Sequence, residues 1–257
     1  MNTPAASTRA PALCVAVLGA ESTGKTTLAQ GLALALAQSS SGVPNAAASG
    51  EPAAPLRTAW VPEVLRQWCD EHGRTPQVHE QSAILQQQHA RIDAAARDHD
   101  LVICDTTGLM TAIYSELIFG DQTLHEQAVR LHRRMGFSLL TALDLPWVPD
   151  GHQRDGPHVR EPVDRAIRAL LLRHELPFAV IGGSGPARLQ QALAAVAPLL
   201  RQRAGPAASG AGLFTRLASS DAAAGGWSCE CCGDAPYERA LRGGMAGVAS
   251  AARRQRG

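Results

Sequence analysis

Five short apolar runs alternate with longer amphipathic stretches along the chain, and this alternation predicts an α/β fold. The first run, Leu13–Leu18, is continuously apolar and ends at Gly19, a pattern typical of a strand buried on both faces. Because helical periodicity follows each run, we expect a five-stranded, mainly parallel sheet flanked by helices. The other predicted strands are Arg57–Val61, Leu101–Cys104, Ser138–Leu143 and Phe178–Ile181.

Seven amphipathic stretches between and after these runs are predicted to be helices. Pro62 fits the first turn of the second helix, which carries Glu63, Arg66 and Trp68, and Thr75 marks the start of the third. The predicted helices are Lys25–Gln38, the helix that follows Pro62, Thr75–Asp98, Thr107–Phe119, Leu124–Met135, Val163–Glu175 and Gly185–Leu200.

The segments without periodicity divide the chain into one domain and its appendages. We predict a domain over residues 12–202, preceded by a disordered N-terminus at 1–11. Residues 39–55 are rich in Ser, Pro, Gly and Ala, and are expected to form a flexible insertion. The tail, 203–257, is rich in Ala, Gly and Arg, and is expected to be largely disordered.

Composition and charge argue against several classes of protein. Of the 257 residues 45% are hydrophobic, and the 24 basic and 23 acidic residues leave a formal charge of +1. This balance argues against duplex nucleic acid as a partner, which needs a broad basic face. No apolar run reaches the ~20 residues that cross a bilayer, so we expect no membrane association. Cys14, Cys69 and Cys104 lie in apolar or helical patterns, as expected for reduced thiols in the cytoplasm.

A phosphate-binding motif lies between the first predicted strand and the first predicted helix. The text GAESTGKT, from Gly19 to Thr26, matches G-x-x-x-x-G-K-[ST]. Its Lys25 is the one lysine of the chain, which argues against the alternative of an ordinary glycine turn with a surface lysine. We expect Lys25 to contact the β and γ phosphates of a nucleotide, and Thr26 to ligate Mg²⁺. The predicted phosphate-binding residues are Gly19, Ala20, Glu21, Ser22, Thr23, Gly24, Lys25, Thr26 and Thr27.

Two carboxylates follow predicted strands and are candidates for catalysis. Asp105 ends the third strand, where it either binds the magnesium shell or the substrate hydroxyl, or caps the next helix. Glu63 follows the second strand, where it acts as a general base for an acceptor hydroxyl or pairs with Arg66 in an exposed ion pair.

The segment 146–160 is rich in Gly and Pro, yet contains Trp147, Arg154 and Arg160. We predict that it is a lid whose arginines contact transferring phosphate, the alternative being an ordinary solvated connection. The glycine turn 182–185 is weaker support for contact with an adenine edge.

Metal-ligand spacing is weak elsewhere in the chain. Cys229, Cys231 and Cys232 in the tail are either part of a zinc site that lacks a local fourth ligand or redox-sensitive exposed thiols, and both alternatives stay open. Six histidines are expected mostly on helical surfaces and are assigned no role: His72, His79, His89, His99, His125 and His132.

The combination of these motifs resembles the ribosylnicotinamide kinase domain of bifunctional NadR proteins and the wider group of small, AAA-type P-loop ATPases. The matching text is VAVLGAESTGKTTLA from Val15, the Glu63 and Arg66 pair, LVICDTT from Leu101, and DLPWVPDGHQR from Asp144. The resemblance covers roughly residues 12–200. It implies a cytoplasmic P-loop kinase of NAD metabolism that uses ATP and Mg²⁺ to phosphorylate a ribosyl 5′-hydroxyl, as in nicotinamide riboside.

The chain departs from that pattern in three places. Its lid reads GHQR where the family usually has GxR, so Arg154 is shifted by one residue. The insertion 39–55 and the tail have no counterpart in the kinase domain. We also expect no adenylyltransferase domain ahead of it, since only a short segment precedes the first strand.

Two classes of function remain: a kinase acting on a small nucleoside, and an ATP- or GTP-binding regulatory protein whose nucleotide state controls a partner docked through the basic tail. Two carboxylates at strand ends and the lid arginines favour the kinase, because a switch needs no acceptor base. The sequence leaves open the phosphate acceptor, the choice between ATP and GTP, and the oligomeric state.

Overall fold

Five parallel strands form one sheet in the computed structural model, which describes residues 10–38, 56–148 and 156–203. The strand order is β2-β3-β1-β4-β5, and every neighbouring pair is parallel. The predicted five-stranded parallel sheet is therefore confirmed. The strands are β1 (Leu13–Leu18), β2 (Thr58–Val61), β3 (Leu101–Asp105), β4 (Phe137–Thr141) and β5 (Phe178–Ile181).

Helices cover both faces of this sheet. Residues of α1 and α7 pack on one face, and residues of α3, α4, α5 and α6 pack on the other. The helices in the described part of the chain are α1 (Lys25–Gln38), α2 (Val64–His72), α3 (Val78–Asp98), α4 (Gly108–Phe119), α5 (His125–His132), α6 (Arg160–Arg173) and α7 (Gly185–Arg203), with a 3₁₀ turn at Pro157–Val159. No helix in these described ranges is long and apolar enough to cross a membrane.

The central strand explains why its sequence is apolar throughout. Alternate residues of a strand point to opposite faces of the sheet. Ala16 and Leu18 of β1 therefore join the core under α3 to α6, while Val15 and Val17 join the core under α1 and α7. Burial on both faces leaves no position from Cys14 to Leu18 where a polar side chain would meet water.

Several element boundaries differ from the sequence predictions, for local reasons. Pro62 lies outside α2, whose N-cap is Glu63, and α3 begins at Val78 after a capping box between Gln77 and Glu80 rather than at Thr75. The Glu80 carboxylate accepts the Gln77 N–H at 2.7 Å, which satisfies a donor that the helix itself leaves unpaired. The helix predicted to end at Met135 ends at His132.

Two of the six histidines that are expected mostly on helical surfaces are buried. His132 lies between the hydroxyl oxygens of Thr107, at 2.9 Å, and Ser138, at 2.8 Å. His89 Nε2 accepts the Gly108 N–H at 3.3 Å. Burial lowers the pKa of each histidine to about 4, so both rings are neutral at neutral pH and hold the start of α4 in place.

The predictions for the insertion 39–55, for most of residues 1–11 and for the tail lie outside the described residues, as do Cys229, Cys231 and Cys232. The three cysteines inside the described ranges, Cys14, Cys69 and Cys104, are buried free thiols.

Removal of residues 204–257 is expected to leave a folded domain. Arg203 is kept because its guanidinium donates to the carbonyls of Pro11 and Ala10 and so ties the end of α7 to the entry of β1. Thermal unfolding of the truncated protein should lie within ~2–4 °C of the full chain, a shift that corresponds to about 1 kcal/mol. Loss of folding, or release of stoichiometric zinc on truncation, would instead show that the tail cysteines are structural.

Candidate active site

The register of the sheet brings the predicted site residues to one edge. Val17 of β1 pairs with Asp105, and Val61 of β2 pairs with Cys104. Glu63 and Asp105 therefore lie at the carboxyl edge of the sheet, beside the P-loop, Gly19–Thr26, that leaves β1. In an open parallel sheet, this edge is where ligands bind.

Backbone geometry explains the first glycine of the P-loop. Gly19 has φ +154°, and a Cβ atom there would collide with the Thr141 hydroxyl of β4. The loop also contains left-handed residues at Ser22, φ +54°, and Gly24, φ +74°. The chain can turn this tightly beside β4 only because position 19 has no side chain.

Hydroxyl groups hold the P-loop in shape from inside the protein. Thr23 Oγ1 donates to the Ala20 carbonyl at 2.7 Å. Thr141 Oγ1 lies 2.6 Å from Thr23 Oγ1 and 3.1 Å from the Leu18 carbonyl oxygen. Thr23 is fully buried, and its hydroxyl group is engaged inside the protein by Ala20 and Thr141.

Lys25 begins α1 and is buried. Its Nζ donates to the Ala20 carbonyl at 2.8 Å across the P-loop. Burial lowers the pKa of Lys25, and the nearby negative charges of Glu63 and Asp105 partly oppose that shift. An ammonium group has three donors, so Lys25 can bind an anion while keeping the bond to Ala20.

Asp105 and Thr26 have the donor set of a magnesium site. Burial raises the pKa of Asp105, while a hydrogen bond with Thr26 and the charge of Lys25 act in the opposite direction. Asp105 Oδ1 is buried without a hydrogen-bond partner among the described residues. A hydroxyl and a carboxylate oxygen fit Mg²⁺, which takes the rest of its shell from phosphates and water. Within the described ranges, no group of three or more His, Cys, Asp or Glu residues is arranged to hold a metal ion.

The alternative role for Asp105, capping the next helix, is wrong. Thr107 is the N-cap of α4, and its side chain accepts the Leu109 N–H at 3.3 Å. Between the two residues, Thr106 is buried at φ +69°, a conformation that a β-branched residue rarely adopts. Such strain, ~1–3 kcal/mol, persists where the surrounding structure over-determines the backbone, and it concentrates at functional sites.

Glu63 is held at the start of α2 by a residue that sequence reasoning missed. Gln88 of α3 accepts the Val64 N–H at 2.8 Å and donates to the Pro62 carbonyl at 3.3 Å, so it clamps the backbone on both sides of Glu63. Glu63 and Arg66 form the predicted ion pair at 3.8 Å, with Glu63 mostly buried. In this pair the Glu63 carboxylate is mostly buried, while the Arg66 side chain is partly exposed.

A cavity of about 460 Å³ opens beside the P-loop. Its charged walls come from the P-loop and the start of α2, and its apolar walls from the end of α4 and the start of α6. The lining residues are Glu21, Ser22, Lys25, Glu63, Leu65, Arg66, Cys69, Thr75, Pro76, Gln81, Tyr114, Leu117, Ile118, Phe119, His158, Val159, Pro162 and Val163.

A buried arginine, also missed from the sequence, joins three loops at the same edge. Arg188 of α7 donates to the Thr23 carbonyl at 2.8 Å, to the Gly183 carbonyl at 2.7 Å and to the Asp144 carboxylate at 2.9 Å. The N–H groups of Gly182 and Gly183 are engaged by Gln191 and Asp144. The glycine turn therefore uses these two N–H groups inside the protein, which weakens the expectation that they contact an adenine edge.

Replacing Arg188 by methionine is expected to destabilise the fold by ~1–3 kcal/mol, since the buried Thr23 carbonyl loses its donor. Urea unfolding measures this change. Arg201→Met, at an exposed position of the same helix, should change stability by under about 0.5 kcal/mol. Equal stability of the two variants would contradict the bracing role of Arg188.

The predicted lid is described only at its two ends. At the first end, Ser22 Oγ donates to the Val148 carbonyl at 2.8 Å and accepts the Val148 N–H at 3.1 Å. At the second end, Arg160 is buried at the start of α6 and donates to the Leu145 carbonyl at 2.9 Å. Arg154 lies outside the described residues.

Comparisons with known proteins agree with this architecture. A family model described as an AAA domain matches residues 14–188. A solved NadR protein in complex with NAD and AMP-PNP aligns with a TM-score of 0.53 and 16% identity, and one in complex with NR aligns with 0.56 and 17%. Each alignment covers 72% of this chain and 48% of the other, so the chain spans about half the length of these structures. No curated protein matches the chain. The resemblance to small AAA-type P-loop ATPases is therefore confirmed at the level of the family, and the likeness to NadR proteins at the level of the fold.

Proposed function

The chain belongs to the family described as an AAA domain, and from this membership and the geometry of its site we propose that it is an ATP- and Mg²⁺-dependent kinase of a small nucleoside. The observation that carries the proposal is the cavity beside the P-loop, which both Lys25 and Glu63 line. A protein that only senses a nucleotide needs no cavity that extends from the phosphate-binding loop to a second carboxylate and an apolar wall.

On the nucleotide side, the residues present fit ATP. The backbone N–H groups of the P-loop and the N-terminus of α1 favour the phosphates, and Lys25 donates to the β and γ phosphates. Thr26 and Asp105 are the residues that would hold Mg²⁺. When bound, Mg²⁺ neutralises charge on the phosphates.

On the acceptor side, Glu63 is the proposed general base. As the acceptor hydroxyl oxygen forms a bond with the γ phosphorus, the bond between that phosphorus and the bridging oxygen breaks, and its electron pair stays on the ADP oxygen. The acceptor proton passes to the Glu63 carboxylate. Arg66, 3.8 Å away, limits the directions that this carboxylate can take.

Nicotinamide riboside, phosphorylated on its 5′-hydroxyl, is the proposed acceptor, together with nucleosides of similar shape. The likeness in fold to a NadR protein in complex with NR supports this choice, as does the segment 144–154. The cavity supports a small acceptor because its apolar walls suit a ring system and its charged end suits a hydroxyl group.

Phosphate transfer from labelled ATP to a panel of nucleosides tests the proposal. Nicotinamide riboside should raise ADP production above the background with water and yield a labelled monophosphate. Its 5′-deoxy analogue, which lacks the accepting hydroxyl, is the matched control and should not. If no nucleoside raises ADP production, a nucleotide-dependent regulatory role takes precedence.

Arg160 is proposed to stabilise the transferring phosphoryl group together with Arg154. Arg160→Ala should lower kcat by up to ~10³-fold with a smaller effect on ATP affinity, because a guanidinium on that group acts mainly in the transition state. Arg154→Ala should have the larger effect, since it lies in the segment that resembles the family lid. Arg165→Ala, at an exposed position of α6, is the control. A double variant of Arg154 and Arg160 with unaltered kcat would remove the lid from the mechanism.

A further inference from the structure

Gln81 is a buried amide in the wall of the cavity, outside the groups that act on phosphate. It lies in the first turn and a half of α3, is 1% exposed, and lines the cavity together with Pro76. Its Nε2 donates to the Pro76 carbonyl at 3.4 Å. Because a carbonyl accepts and never donates, this contact requires the NH₂ group there and fixes the orientation of the amide.

The indication of a ligand comes from the oxygen atom of the Gln81 amide. Gln81 Oε1 is buried and has no hydrogen-bond partner among the described residues. Buried polar atoms are almost always paired, and leaving one unpaired is costly. A donor carried by a molecule in the cavity would satisfy this oxygen.

Charge is distributed unevenly along the cavity. All four of its formally charged residues, Glu21, Lys25, Glu63 and Arg66, belong to the P-loop and the start of α2. The end of α2 and the connection to α3 contribute uncharged groups. Among them is Cys69, whose pKa burial raises to about 11, so that its thiol stays protonated. Gln81 belongs to this uncharged part of the wall.

Gln81 and the residue that clamps the backbone around Glu63 lie on the same helix, α3. Gln88 clamps the backbone around Glu63, and Gln81 lies two helical turns earlier on the same helix. Seven residues of helix rise ~10.5 Å. Gln81 therefore lies about this far along α3 from the residue that clamps the backbone around Glu63, a spacing of the same order as the length of a nucleoside. Apolar residues of α4, Leu117, Ile118 and Phe119, line the cavity as well and suit the face of a ring.

We propose that Gln81 determines acceptor specificity by accepting a hydrogen bond from an uncharged N–H donor, an amide or amino group, on the base of the nucleoside. This inference rests on the proposed function for the identity of the ligand. It predicts that the protein selects a base that carries an N–H donor over the same base with that donor replaced.

Equilibrium binding by calorimetry tests the inference separately from catalysis. Two matched ligand pairs are used: nicotinamide riboside against 3-acetylpyridine riboside, in which a methyl group replaces the amide NH₂, and cytidine against pyrimidin-2-one riboside, in which hydrogen replaces the amino group and the base has no N–H donor. In at least one pair the member with the N–H donor should bind about 10- to 100-fold more tightly, the range expected for a buried acceptor left without a donor.

Two variants separate recognition from a structural role. Gln81→Met removes the acceptor and should bring the two members of the pair to equal affinity. Gln81→Glu keeps an oxygen acceptor at the same position and should retain the preference. If Gln81 served only to hold Pro76, the two variants would not differ in preference.

Each possible result of these measurements either supports or overturns the inference. No preference in the unaltered protein, a preference that survives in Gln81→Met, or no binding of any of the four ligands overturns it. Binding with the expected preference, but without ADP production, would support the role of Gln81 and refute the proposed kinase activity. Turnover without the preference would support the proposed kinase activity and refute the role of Gln81.

Discussion

Lys25→Met is expected to reduce the affinity for Mg²⁺-ATP by about 10²-fold and to abolish phosphate transfer. Methionine fills similar space but has no charge and no donor. The ammonium group of Lys25 is buried at the start of α1, where water screens its attraction to phosphate poorly. A hydrogen bond to a charged group contributes ~1.5–3 kcal/mol, and Lys25 can make more than one. Calorimetric titration with ATP measures the change.

Lys25→Met should be at least as stable toward unfolding as the unaltered protein, although it binds ATP less tightly. Burial lowers the pKa of Lys25, which means that the folded protein holds this proton less tightly than the unfolded chain. A protonated Lys25 therefore costs stability at neutral pH, and the cost diminishes only as pH rises toward the pKa of a free lysine. Lys25→Met should unfold at an equal or higher temperature in the absence of nucleotide, so that loss of binding cannot be attributed to unfolding.

The chain offers a direct measurement of this pKa. Lys25 is its one lysine, so reductive methylation with ¹³C-formaldehyde labels only Lys25 and the N-terminal amine. Titration of the Lys25 resonance should give a pKa below that of a free lysine. Equal ATP affinity in the unaltered protein and in Lys25→Met would remove the basis of the proposed nucleotide site.

Glu63→Gln is expected to lower kcat by 10²- to 10⁴-fold while ATP affinity stays close to that of the unaltered protein. The amide keeps the shape of the side chain, but it cannot take the acceptor proton, and the loss of a general base typically has this magnitude. The clamp from Gln88 acts on the backbone of Pro62 and Val64, so it survives the substitution. Steady-state rates with nicotinamide riboside, together with calorimetry for ATP, separate the two effects.

The control for this variant lies on the same helix. Glu71 is an exposed carboxylate of α2, and Glu71→Gln should leave both kcat and ATP affinity unchanged. Asp105 is the base instead if Glu63→Gln keeps the unaltered turnover rate, while Asp105→Asn loses turnover and still binds Mg²⁺-ATP as tightly as the unaltered protein. Both carboxylates lie at the same edge of the sheet, so the comparison decides between two neighbouring groups.

Much of the sheet could be predicted from the sequence alone, because the pattern that indicates each strand lies within a few consecutive residues. A run such as Leu101–Cys104 is apolar at every position, and this is what a strand covered on both faces requires. The P-loop motif spans eight consecutive residues whose backbone turn and helix start are local properties. The predicted helix starts at Pro62 and Thr75 were wrong because the N-caps are Glu63 and Gln77. The choice of N-cap among neighbouring residues depends on the geometry of a single turn.

The burial of His89 and His132 could not be predicted in the same way. Each lies in a helix of mixed polarity, where the sequence pattern alone does not say which polar side chain faces the core. Burial followed from partners elsewhere in the chain: Ser138 on β4 and Gly108 at the start of α4. Their neutral rings are a consequence of that packing.

By itself, then, the sequence determined the α/β class, the phosphate-binding loop and the candidates Lys25, Glu63 and Asp105, since each depends on residues close together in the chain. Tertiary structure alone decided the strand order, the clamp by Gln88, the brace by Arg188 and the unpaired oxygen of Gln81. The bond from Arg188 to Thr23 joins residues 165 positions apart. Such a contact leaves no periodicity or spacing in the sequence, because a hydrogen bond requires only that packing bring donor and acceptor together.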